Sequence, residues 1–132
     1  MIRGFNHRRG AAVVEFAVVL PLLCFFLFGI LEVGYAFLVR HTIAVAARDG
    51  ARVASIPGAT EADAIEAVDQ TMSGLGINGY TVTSNLASLG TTGPIVWVEV
   101  SINVDRVTFS GHLFGGGNVP LTSRVYMHRE GL

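Results

Sequence analysis

Apolar positions fall into three patterns along the chain. From Ala11 to Val39 they are nearly continuous, interrupted by charge only at Glu15 and Glu32. As a helix this stretch of 29 residues would reach about 43 Å, more than the ~30 Å hydrocarbon core of a bilayer. The uncharged part between the two glutamates, Phe16 to Leu31, spans roughly 24 Å, and the glutamates lie about 26 Å apart along the axis, near the two interfaces. Pro21 lacks a backbone donor and is expected to kink the helix, which a membrane helix tolerates better than a soluble one. The second pattern is helical. Ile65, Val68, Met72 and Leu75 recur at spacings of three and four, behind an N-cap at Thr60 with Glu61 and Asp63 in the first turn. The third alternates. Val96, Val98, Val100, Ile102 and Val104 face one way, and Trp97, Glu99, Ser101 and Asn103 the other, which sets the register of a strand.

These patterns predict an α+β chain: a long N-terminal transmembrane helix, then a small domain with a short amphipathic helix and an antiparallel sheet of about three to four strands. Residues 1–10 form a basic leader, 11–39 the transmembrane helix, 40–56 its extension and 57–132 the outer domain. The helix is expected to run to about Ser55, before Pro57-Gly58. Gly74 and Gly76 stop the amphipathic helix. Further strands are expected at Tyr80–Thr83 and Leu121–Met127, with residues 106–109 extending the central one. Loops are expected at 85–94 and 110–120. The expected core is the Val96–Val104 face under the Ile65 stripe.

Composition agrees with a membrane protein. Of the 132 residues 51% are hydrophobic and only 14% charged, against about 25% charged in an ordinary soluble domain. Net charge is −1 and no segment carries a basic stripe, which argues against nucleic acid as a partner. The leader carries Arg3, Arg8 and Arg9 and no acid, whereas Arg40, Arg48 and Arg52 beyond the span are partly offset by Asp49. This bias favours the N-terminus inside and the C-terminal domain outside. Ala44-Val45-Ala46 offers a signal-peptidase-like site, but the apolar run before it is far longer than a secretory h-region. The single cysteine, Cys24, follows Pro21-Leu22-Leu23 rather than the small residues of a lipoprotein site.

Candidate chemistry is sparse. His7, His41, His112 and His128 stand at no metal-ligand spacing, Ser110-Gly111-His112 has no orienting third group, and Gly115-Gly116-Gly117 lacks the ending of a phosphate loop. The chain reads as no enzyme, with no cofactor.

The informative motif lies at the start of the span. Arg8-Arg9-Gly10 is followed by Ala11-Ala12-Val13-Val14-Glu15-Phe16, an arrangement that resembles the processing site of type IV pilin-like precursors. Farther on, Phe28-Gly29-Ile30-Leu31-Glu32-Val33-Gly34-Tyr35 and Ala46-Ala47-Arg48-Asp49-Gly50-Ala51-Arg52 resemble the TadE-like branch, the small pseudopilins of tight-adherence (Flp) pili. The resemblance implies cleavage by a prepilin peptidase between Gly10 and Ala11, with Glu15 as the fifth mature residue. It further implies pseudopilins, pilins and a pilus assembly platform as partners besides the bilayer. The residue after the motif glutamate is Phe16, where the major pilins of such systems carry tyrosine; this and the extra domain point to a minor pseudopilin.

Two roles fit Glu15: pairing with the α-amine that cleavage would free on Ala11, one turn away, or an interfacial acid favoured by the helix dipole. Glu32 is read as marking the outer interface or as an assembly contact. Arg48 and Arg52 share a helix face, solvated or turned toward a partner. The alternative function is an unprocessed single-pass adaptor whose outer domain binds envelope proteins. A third reading, an enzyme released after Ala46, has no site chemistry behind it.

Overall fold

The computed structural model describes residues 7–89, 93–103, 120–129 and 131. One helix, α1, runs His7–Ala54 for 48 residues, continuous through Pro21. The exposed apolar part extends to Leu38, with Val13, Phe16, Phe26, Ile30 and Phe37 all more than half exposed. The helix is long and apolar enough to cross a membrane once. It ends as expected, one residue before Ser55, whose hydroxyl donates back to the Arg52 carbonyl at 2.7 Å.

Helix α2 (Glu61–Ser73) starts where the sequence places it. The Thr60 N–H donates to Asp63 Oδ2 at 2.8 Å, and the Asp63 N–H donates to Thr60 Oγ1 at 3.3 Å. This reciprocal capping box satisfies donors that the first turn leaves open. The strands are β1 (Tyr80–Ser84), β2 (Ile95–Asn103) and β3 (Pro120–His128), in sheet order β1-β2-β3 and antiparallel throughout. Register pairs Val82 with Val100 and Val98 with Val125. The alternation in β2 is realised: Val96, Val98, Val100 and Ile102 are buried. Val104, residues 106–109 and all but the last residue of the loop expected at 110–120 lie outside the described residues; that last residue, Pro120, opens β3 instead.

Two expectations need correction. The segment expected as a loop at 85–94 contains a helical turn, α3 (Leu86–Leu89), which buries Leu86. Asn85 holds it in place, its Oδ1 accepting from the Trp97 N–H at 2.8 Å and its Nδ2 donating to the Ile95 carbonyl at 3.1 Å. The α2 stripe is also shifted. Its buried positions are Ala64, Val68 and Met72; Ile65 is half-buried and Leu75 is 53% exposed. The helix has ended before Leu75, and Ala64 faces α1 at a point where only a small residue fits.

The core is centred on α1, where the sequence pattern had set a strand face against α2. Val39, Ile43, Ala46, Ala47, Ala51 and Ala54 are essentially inaccessible and join Ala64, Val68, Met72 and the inner face of β2 in one cluster. Four of those six α1 residues are alanine, and with Gly50 they form a smooth strip that lets neighbours approach the backbone. A Cβ added at Gly50 would lie 2.7 Å from Val68 Cγ2, 3.2 Å from the Ala64 carbonyl oxygen and 3.2 Å from Val98 Cγ1. Three elements meet at this glycine. Each fully buried aliphatic side chain contributes on the order of 1.5–3 kcal/mol, so the C-terminal third of α1 is a structural member of the domain.

Candidate functional site

The residues singled out in the sequence all lie on α1, in two groups of opposite setting. Gly10, Ala11, Glu15 and Phe16 are exposed at its start, Phe16 at 59%. Ala11 and Glu15 are four residues apart, so the carboxylate stands one turn from the Ala11 backbone nitrogen, on the same face. The Gly10–Ala11 bond falls within the helix, which begins at His7. A peptidase needs an extended substrate, so cutting here requires the first turn to unwind. A glycine in that turn, near a fraying terminus, lowers the cost.

Glu32 is half-buried. Seventeen positions beyond Glu15, it is rotated by roughly 100° from it around the axis, so the two acids occupy different faces. Around Glu32 the surface is apolar: Phe25, Phe26, Gly29, Ile30 and Val33 line a shallow groove. Nothing stands within 4 Å of a Cβ built on Gly29 or Gly34, in contrast with Gly50. Cys24 is exposed in the same apolar part.

The second group belongs to the domain. Arg48 and Arg52 are exposed and share a face, while Asp49 between them turns inward. Thr71 Oγ1 donates to Asp49 Oδ2 at 3.0 Å, tying α1 to α2, and Arg52 borders a polar hollow with Val53, Ala67 and Gln70. Spacing alone had drawn attention to the arginines of this motif. The buried members, Ala46, Ala47, Gly50 and Ala51, are what the packing uses, and their recurrence every fourth residue is the signal that could have found them.

Polar detail elsewhere is structural. Thr60 donates to Asp63 from its backbone and its hydroxyl, holding that carboxyl below its usual range. The Tyr80 hydroxyl donates to Asp69 Oδ1 at 2.6 Å; burial, then that carboxylate, push the phenol up to about 12. On the outer sheet face Arg124 lies over the Trp97 ring at 4.3 Å and pairs with Glu99 at 2.8 Å. Among the described residues no three of His, Cys, Asp and Glu gather into a set that could hold a metal.

No match is found among curated proteins or among solved structures. A family model described as TadE-like protein matches residues 10–52. The matched segment runs along α1 from Gly10, past both glutamates, to Arg52, two residues short of the helix end, and stops before α2 and the sheet. Over residues 10–52 the chain is similar to TadE-like proteins, the family its sequence resembles, and that family points to a membrane protein associated with tight-adherence pili.

Proposed function

We propose that the chain is a minor pseudopilin of a tight-adherence pilus, inserted with its N-terminus in the cytoplasm and its α+β domain beyond the bacterial inner membrane. A prepilin peptidase cuts it between Gly10 and Ala11. The observation that carries this reading is the alignment of motif and helix: Gly10, Glu15 and the family match through Arg52 all lie on one continuous α1. Cleavage frees an amine at Ala11 one turn from Glu15, and the exposed apolar part of α1 then enters the assembly with other pseudopilins, pilins and the pilus platform. Glu15, Glu32, Arg48 and Arg52 are the contacts assigned to that step.

Mass spectrometry of the protein from its native host tests processing. The expected mature N-terminus is Ala11; an N-terminus at Met1 or Ala47 would sink that part of the proposal. Glu15→Ala, still inserted at normal levels, is expected to lose piliation.

One observation favours a second reading. The Gly10–Ala11 bond is helical, as suits a permanent anchor that is never cut and whose outer domain binds envelope proteins. That reading expects intact piliation in Glu15→Ala and a chain that keeps its leader.

A further inference from the structure

We infer that the outer domain is seated in the headgroup layer of the bilayer, with the turn Gly74–Gly79 against an anionic lipid surface and Leu75 as its apolar anchor. This rests on the single-pass reading of α1. Exposed apolar side chains continue along α1 through Val33, Phe37 and Leu38, and the first basic residue after them is Arg40. Val39, the next residue after Leu38, is already fully enclosed, and Tyr35 packs against the same cluster. No linker separates span from domain, so the lower end of the domain meets the membrane surface.

Contacts identify which end that is. Gly50 meets Ala64 and Val68, while Asp49, one residue nearer the membrane, meets Thr71. Helix α2 therefore runs back toward the bilayer. Strand β1 reverses that course: Tyr80 bonds to Asp69 and Ser84 donates to Glu61 at 3.0 Å, so the strand climbs away again. The turn between them is the lowest part of this arm. At 1.5 Å per residue Leu75 comes roughly level with residues 42–43, about 6 Å beyond Leu38 along the axis. That is headgroup depth.

Charge is distributed to match. The acids of α2 are Glu61, Asp63, Glu66 and Asp69, all before its last turn, and no charged residue follows from Gln70 to Val98. Arg40 and His41 are exposed at the level of the turn. Among the described residues the membrane-facing end thus presents Arg40 and apolar groups, while the acids of α2 lie farther out, beside the exposed Arg48 and Arg52, which suits an anionic surface. Leu75, between two glycines, is 53% exposed.

The test uses full-length protein in vesicles of phosphatidylcholine and phosphatidylglycerol. An environment-sensitive fluorophore is placed at Leu75→Cys or, as the far-end control, Ala62→Cys, each with Cys24→Ala, and on native Cys24 as the control for the span. Trp97 fluorescence checks the fold of each variant. We expect the label at position 75 to be blue-shifted, quenched by lipids with a nitroxide high on the acyl chain, and several-fold less quenched by iodide than the label at 62. Equal iodide quenching at the two sites overturns the proposal. So does protection at 75 without quenching by nitroxide lipid, which would mean a protein partner. A Cys24 label untouched by deep nitroxides would instead sink the single-pass reading beneath it.

Discussion

The two ends of α1 share one backbone and differ in almost everything else. From Val13 to Leu38 its large side chains, Tyr35 apart, point outward and touch little of the molecule; from Val39 to Ala54 its inner side chains are enclosed, and from Ala46 on they are small. Phenylalanine and leucine dominate the first part, alanine the inner strip of the second. In the bilayer, bulk serves because the lipid accommodates it. In the domain, smallness serves because α2 and β2 must come within reach of the helix backbone. The same secondary structure thus carries two solvents' worth of sequence logic, and the boundary between them falls between Leu38 and Val39.

If that contrast holds, truncation should cost stability on one side only. Met72→Ala removes a fully buried side chain facing the α1 strip and is expected to lower domain stability by about 3 kcal/mol. Phe26→Ala, at a side chain 62% exposed to the bilayer side, should leave it unchanged. Denaturant titration in detergent, followed by Trp97 fluorescence, compares the two; equal losses would break the contrast. Glycines sharpen it. Gly50→Val drives methyl groups into Val68, Val98 and the Ala64 carbonyl and should cost about 2 kcal/mol, whereas Gly34→Ala meets open space and should be neutral in the same assay.

Smaller effects belong to the domain alone. Thr60→Ala removes the α2 cap and should cost about 1 kcal/mol. The pH dependence follows from Asp63, whose folded pKa is depressed by the Thr60 backbone and hydroxyl. Its contribution is fully present above the unfolded value of 3.8 and is lost as pH falls through the lower folded value. Acid titration of the wild type should therefore show a loss that Asp63→Asn lacks; identical acid limbs would refute the assignment.

Where one face of an element was exposed and the other buried, the sequence was easily read. The alternation in β2 and the Thr60 cap are of that kind, because period and capping chemistry are local. The Ile65 stripe was half right: Val68 and Met72 are enclosed, but Leu75 is past the helix end and Ala64 takes the inward place. Hydrophobicity ranks leucine above alanine, while a close helix crossing ranks them the other way. For the same reason the strip from Ala46 to Ala54 passed unnoticed behind the arginines of its motif, and a single turn such as Leu86–Leu89 is too short to show a period. Of the candidate site, Gly10 and Glu15 were visible through their motif. The work proposed for them depends on contacts with other molecules, which no period or cap within one chain encodes.

The absence of a joint between Leu38 and Val39 makes the span a compass for the domain. Because α1 is continuous, inserting one residue between Glu15 and Val39 would swing the whole domain by about 100° in azimuth relative to Glu15 and raise it by about 1.5 Å. Four inserted residues would return it to within about 40° of the original bearing, but about 6 Å higher. Under the pairing proposed for Glu15, the number of residues in the membrane would therefore set which way the sheet faces, and a neighbour gripping one end of α1 would steer the other.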